Sequence, residues 1–228
     1  MARAACSPAN RRKRRVAGCA ALSPAFDEEE MTQIPTTLVH LYKNPDGPFQ
    51  SISELPHADA SRLMDEMTDA NTWHTPRFTR EKRKEYMNAR RRSEERLRCA
   101  FVAKGGRPSR EHPYYLALET PEVQTFWPAA KCVRVPLVAL PPDVVSFTYL
   151  DSMVCDALLN DPDCVPANCK QFAGLSCLGQ VYRLDELPHL LEEYGFPKGT
   201  YVEAQVWADE PLQPYKRTSN KPDARDGL

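Results

Sequence analysis

The chain carries its charge in blocks. From Arg77 to Arg110 there are thirteen Arg and Lys against four Glu, a net of +9, and from Glu111 to Tyr215 five basic residues stand against fifteen acidic ones, a net of −10. Summed over all 228 residues the formal charge is only −1. Opposite charges attract strongly only within about one Debye length, roughly 8 Å at physiological salt. A fold that lays the cationic segment on the acidic body therefore gains from its own sequence. A fold that holds them apart presents a basic surface to a polyanion.

The cationic segment reads as one long helix. Thr79 is placed to cap it, it runs to about Lys104, and Gly105-Gly106 stops it. Its apolar stripe is thin, consisting of Tyr86, Ala89, Leu97, Ala100 and Phe101 with Ser93 in the seam, so it can rest on a core only by a narrow edge. Pairs such as Glu81 with Lys84, and Glu94 with Arg98, would support its solvent face. Arg90, Arg91 and Arg92 are candidate binding residues for phosphates, yet no helix-turn-helix, finger or RNP motif accompanies them to read bases. The expectation is a helix docked on its own acidic body, with non-specific nucleic-acid binding as the alternative.

Length and a hydrophobic content of 42% suit one domain with a proper core. No apolar run reaches the roughly 18 residues that span a bilayer. Eight cysteines fall at irregular spacings, and the densest group, Cys155, Cys164, Cys169 and Cys177, lacks a C-x-x-C knuckle. They read as reduced thiols in a cytoplasmic protein, with no metal site. Residues 1–30 read as a disordered or spurious extension: Arg11-Arg12-Lys13-Arg14-Arg15 precedes Cys19 by too few apolar residues for a lipoprotein signal, and an organelle leader is the other reading. Residues 31–215 make the domain, and 216–228 a polar flexible tail.

Within the domain, Thr36 to Tyr42 is a β-branched and apolar run closed by Asn44-Pro45-Asp46-Gly47-Pro48. Ser53 stands as an N-cap before Glu54-Leu55-Pro56, opening an amphipathic helix over 54–69. Asp185 precedes the same Glu-Leu-Pro-His tetrapeptide at 186–189, which opens a helix ending at Tyr194 with Gly195 as its stop. Short β-favouring runs cover 114–118, 132–138, 144–149, 180–184 and 200–207. Helices cluster early instead of alternating with strands. The predicted fold is α+β, a single domain with a mainly antiparallel sheet of about six strands and three or four helices.

Alternation along the last strand puts Val202, Ala204 and Val206 on a core face and Tyr201, Glu203, Gln205 and Trp207 on the other, where they could wall a ligand cleft. With His40 on the first strand and Ser146 and Thr148 on the fourth, the layout is similar to the three-part site of ADP-ribosyltransferases. That resemblance implies NAD as substrate, Glu203 stabilising the oxocarbenium-like centre, and His40 holding the dinucleotide. The chain departs from it in having Glu203-x-Gln205, acid before amide, and Phe147 between Ser146 and Thr148.

Pro48-Phe49, Ser53-Glu54-Leu55-Pro56, Lys104-Gly105-Gly106, Val144 to Tyr149 with Asp151-Ser152, and Val202 to Trp207 with Asp209-Glu210-Pro211 together resemble a group of short bacterial proteins to which no activity is assigned. The resemblance implies a compact bacterial cytosolic domain and names no chemistry. A binding or accessory role is favoured over catalysis. No cofactor and no partner follow from the residues alone.

Overall fold

Six strands form one sheet in the order β3-β1-β2-β6-β4-β5. They are β1 (Thr37–Tyr42), β2 (Tyr114–Leu118), β3 (Lys131–Pro136), β4 (Val145–Thr148), β5 (Tyr182–Arg183) and β6 (Glu203–Val206). The computed structural model describes residues 34–42, 47–69, 82–126 and 130–218. Among these, every strand pairing is antiparallel, so the predicted α+β class and sheet hold. The helices are α1 (His57–Asp69), α2 (Arg83–Ala103), α3 (Val123–Phe126), α4 (Ser152–Asn160), α5 (Leu187–Tyr194) and α6 (Gln213–Thr218).

The register sorts side chains into two faces, because directly opposed residues in paired strands point the same way. Leu116, Ala204, Phe147 and Tyr182 form one cross-strand row, and Tyr114, Val206 and Val145 another. Both rows join the main core, together with Leu187, Leu190 and Leu191 of α5. Burying a Leu or Phe side chain contributes roughly 1.5–3 kcal/mol, so this face dominates the stability of the sheet. The opposite face carries the rows Val39, Ala117, Glu203, Thr148 and Tyr115, Gln205, Ser146, Arg183.

That second face is covered too. Leu97 and Phe101 of α2 pack with Val181 and Trp207, the Phe101 and Trp207 rings lying 6.4 Å apart and nearly parallel. Val123 of α3 covers Val39 and Ala117. α2 ends where Gly105 takes a φ of +90° and Gly106 N–H donates to the Phe101 carbonyl at 2.9 Å. A Cβ on Gly106 would lie 2.5 Å from the Phe101 ring, so the ring reaches the sheet only because residue 106 has none.

Several boundaries differ from the sequence reading. The first helix begins at His57; Ile52–Glu54 is a 3-10 turn, and the Ser53 side chain points inward to Glu94 instead of capping. Glu94 turns away from Arg98 for the same reason, since it lies on the buried edge of α2. Asp185 does not cap α5; it pairs with Arg183. Among the described residues there are six α-helices, where three or four were expected, because α3, α4 and α6 are too short for periodicity to distinguish from loop. Lys216 falls inside α6 and bonds to Asp209 (2.7 Å) and Tyr114 (3.1 Å), so the body extends to residue 218 and not 215. Residues 1–33 and 219–228, with Thr79 and Glu81, lie outside the described residues. No described helix is long and apolar enough to cross a membrane.

Candidate functional site

The polar face of β4 and β6 is a closed hydrogen-bond ladder. Trp207 Nε1–H donates to Ser146 Oγ (2.9 Å), and Ser146 Oγ–H donates to Gln205 Oε1 (2.8 Å). Gln205 Nε2 donates to Thr148 Oγ1 (3.0 Å) and to Glu203 Oε1 (2.9 Å), and Thr148 Oγ1–H ends on the Leu150 carbonyl (2.7 Å). Both hydroxyls donate once and accept once, so the order of donors along the ladder is fixed. All five residues are buried. The wall predicted to face a cleft is roofed by α2, whose Leu97 and Phe101 sit against Trp207.

Glu203 stands at the end of that ladder, where β6 meets α4. Its Oε1 also accepts the Ser152 N–H at 3.3 Å. Asp151, one residue earlier, caps α4 by accepting the Val154 N–H at 2.9 Å and takes the Tyr201 hydroxyl at 2.9 Å. Burial, and then the nearby Asp151 carboxylate, push Glu203 up to about 8 from its ordinary 4.5; the bonds from Gln205 and Ser152 and the Arg90 charge work the other way without overcoming them. Its surroundings therefore favour the protonated, neutral form of Glu203. It serves as a neutral tie between strand and helix.

A second buried carboxylate is treated differently. Glu94 of α2 is 0% exposed, and its Oε1 accepts from Ser53 Oγ (2.7 Å), Arg90 Nε (3.0 Å) and Tyr115 Oη (3.1 Å), while Oε2 meets His112 Nδ1 at 2.7 Å. The Arg90 guanidinium lies 4.5 Å over the Tyr115 ring and donates to Tyr86 Oη at 3.2 Å. This node joins the turn before α1, α2, β2 and the segment leading into β2. The sequence reading did not find it, although Arg90, Glu94, Leu97 and Phe101 recur at the spacing of one helical face.

Part of the rest of the cationic segment is paired with acids elsewhere in the chain. Arg83 pairs with Asp65 (2.6 Å), Arg96 with Asp156 (2.6 Å), Lys104 with Glu186 (2.8 Å) and Arg110 with Asp209 (2.6 Å) and Glu54. Arg91 and Arg92 are exposed on α2, as are Lys84, Glu85 and Glu95. The acids interleave with the bases, which thins the basic surface available to a nucleic acid.

Between α2 and α4 runs an open groove of about 760 Å³. Arg96 closes it on one side by bridging Asp156 and the Gly179 carbonyl. Ala89 and Ala157 keep its walls back, and Tyr86 and Met153 supply larger surfaces. Ser93 lines it too. That residue is only 2% exposed, and its Oγ has no hydrogen-bond partner among the described residues. A smaller space of about 400 Å³ separates α1 from α2.

The predicted site residues are thus brought together only in part. Glu203, Gln205, Ser146, Thr148 and Trp207 are contiguous, and Tyr201 reaches the same corner through Asp151. His40 is not with them. It opposes Val133 on the core face, stacks on Phe49 at 4.6 Å, and lies across the sheet from Glu203. Its Nδ1–H donates to the Tyr115 carbonyl (2.9 Å) and its Nε2 accepts the Phe49 N–H (2.9 Å), which fixes a neutral tautomer. Burial lowers its pKa to about 4 against the opposing pull of the Tyr115 bond. Phe49 adopts a φ of 59° to make this contact, a rare backbone state for a bulky residue. The three-strand layout round one dinucleotide is therefore not assembled: strand alternation turns His40 to the face opposite the acid. Among the described residues, no group of three or more His, Cys, Asp or Glu is placed to hold a metal ion.

Fold and site together define an α+β protein with an antiparallel sheet packed on both faces and a groove between two helices on its polar side. Comparison with protein-family profiles, curated proteins and solved structures gave no match for the chain.

Proposed function

We propose that this chain is a binding or accessory protein that seats a ligand in the groove between α2 and α4. The observation that carries the reading is the Ser93 hydroxyl. Ser93 is among the residues lining the groove, and its Oγ, like those of Ser51 and Ser152, is buried without a hydrogen-bond partner among the described residues. A buried hydroxyl in that condition costs about 1–3 kcal/mol, and a ligand that draws the Ser93 side chain toward the groove as it binds would remove the cost. The groove volume falls within the roughly 300–1,000 Å³ of small-ligand sites. Glu203, Gln205, Ser146 and Thr148 support binding over catalysis in a different way, being hydrogen-bonded to one another and to backbone beneath a helix.

A cytoplasmic, bacterial setting fits the same reading. The thiols of Cys155 and Cys177 are buried and form no disulfide among the described residues, a state that suits a reducing compartment. The resemblance to short bacterial proteins points the same way.

The test is a thermal-shift screen with nucleotides, NAD, amino acids and short peptides, run on the natural chain and on Ala157→Trp, which fills the groove. At least one ligand should raise the melting temperature of the natural chain and not that of the variant. If every ligand that binds does so equally in both, the groove is not the site.

A further inference from the structure

We infer that the groove takes a short extended peptide segment carrying one basic and one acidic side chain. The inference rests on the binding reading above and names the occupant of that same site. Six charged residues line the groove, and they divide evenly: Lys82, Arg92 and Arg96 against Glu85, Asp156 and Asp161. Arg96 and Asp156 are taken up with each other at 2.6 Å. Lys82, Glu85, Arg92 and Asp161 are exposed and make no ion pair among the described residues.

A ligand of one sign would meet as many like charges as opposite ones, and like charges brought together cost what opposite ones gain. A ligand bearing both signs can satisfy both sets. The length of the groove favours a peptide. From Lys82 to Arg96 the α2 backbone rises about 21 Å at ~1.5 Å per residue, which an extended segment of about six residues spans at ~3.3 Å each. Tyr86 and Met153 then give apolar surface to the side chains between the charged ones.

The experiment titrates the full chain, with a ¹³C-labelled methyl on Met153 as reporter, with capped hexapeptides. Two carry one Lys and one Glu in either order (acetyl-Ala-Lys-Ala-Ala-Glu-Ala-amide and acetyl-Ala-Glu-Ala-Ala-Lys-Ala-amide), and the controls carry two Lys, two Glu or two Gln at those positions. One of the mixed peptides should bind about three- to fivefold more tightly than either single-sign peptide, the size expected of an exposed ion pair gained in place of a repulsion. In Arg92→Glu, an exposed site whose change should leave the circular-dichroism melt unaltered, preference should pass to the two-Lys peptide.

If the two-Lys or two-Glu peptide binds the natural chain as tightly as both mixed ones, the mixed-charge inference is overturned while groove binding stands. If no peptide moves the Met153 methyl more in the natural chain than in Ala157→Trp, the peptide inference is overturned, and the small-ligand screen alone then decides the binding reading.

Discussion

Replacing Glu203 by Gln should stabilise the protein and change the shape of its pH profile. The substitution keeps the side-chain shape and the Oε1 acceptor for Gln205 and Ser152, while removing the ability to ionise. In the folded chain Glu203 holds its proton up to about pH 8, and in the unfolded chain it releases it near 4.5. Between those values the folded state binds more protons, so stability falls as pH rises, at about 1.4 kcal/mol per pH unit for one group. The loss accumulates to roughly 3 kcal/mol by pH 7 and levels off above pH 8.

His40 contributes with the opposite sign. Its pKa is lowered from 6.5 to about 4, so the unfolded state binds the extra proton and stability is lost as pH falls through that window. Where the windows overlap the two slopes cancel, and the natural chain should show a plateau between about pH 4.5 and 6.5 with a decline above it. Urea unfolding from pH 5 to pH 9 reads both chains directly. Glu203→Gln should match the natural chain near pH 5, exceed it by roughly 3 kcal/mol at pH 7, and show no decline between pH 6.5 and 8. Parallel profiles for the two chains would show that Glu203 is ionised in the folded state, and would refute its assignment as a neutral tie.

Three further outcomes test the packing around α2. Gly106→Ala should lose about 1–3 kcal/mol in urea unfolding, since the added methyl would stand 2.5 Å from the Phe101 ring; an unchanged midpoint would mean that the ring is free to move. Glu94→Gln should lose about 3–5 kcal/mol, because it leaves the guanidinium of Arg90 in the protein without its carboxylate, and a loss below about 1 kcal/mol would place that node in water. The double variant Arg91→Glu, Arg92→Glu should stay within about 0.5 kcal/mol of the natural chain, and a gel shift at low and moderate salt on the same pair checks whether the exposed bases hold nucleic acid at all.

How much of this was legible in the sequence depended on range. Strand alternation gave the sheet class, and it grouped Glu203, Gln205 and Trp207 on one face of the last strand, which the structure keeps. Sequence could not say what covers that face, because the cover comes from α2, more than a hundred residues earlier in the chain. His40 went astray for a related reason: which way a first strand turns relative to a distant last strand is set by register, and register is a property of pairing. Ser53 looked like a cap because Ser before Glu-Leu-Pro is cap chemistry, yet a buried acceptor on another helix, Glu94, claimed its hydroxyl at 2.7 Å. The α2–α4 groove left no local sign either, since its lining residues come from two stretches more than fifty residues apart in the chain.

The charge blocks acquire a structural meaning from these contacts. Two carboxylates, Glu94 and Glu203, are buried on the polar side of the sheet, and one guanidinium, Arg90, lies within electrostatic reach of both. It bonds Glu94 at 3.0 Å. Ionising the second acid as well would leave a buried negative charge without a counterion, next to Asp151, and that costs several kcal/mol; retaining a proton costs about 1.4 kcal/mol per pH unit above its ordinary pKa. The proton is the cheaper solution at neutral pH, so the site resolves into one ion pair and one neutral acid. Other cations of the segment follow the same logic at lower stakes, Arg96 and Lys104 meeting acids of the body and Arg83 meeting Asp65 of α1, each with one partner at least partly exposed. The basic block thus lies along the acidic body and is paired with it at Arg96, Lys104 and Arg110, while Lys84, Arg91 and Arg92 stay exposed.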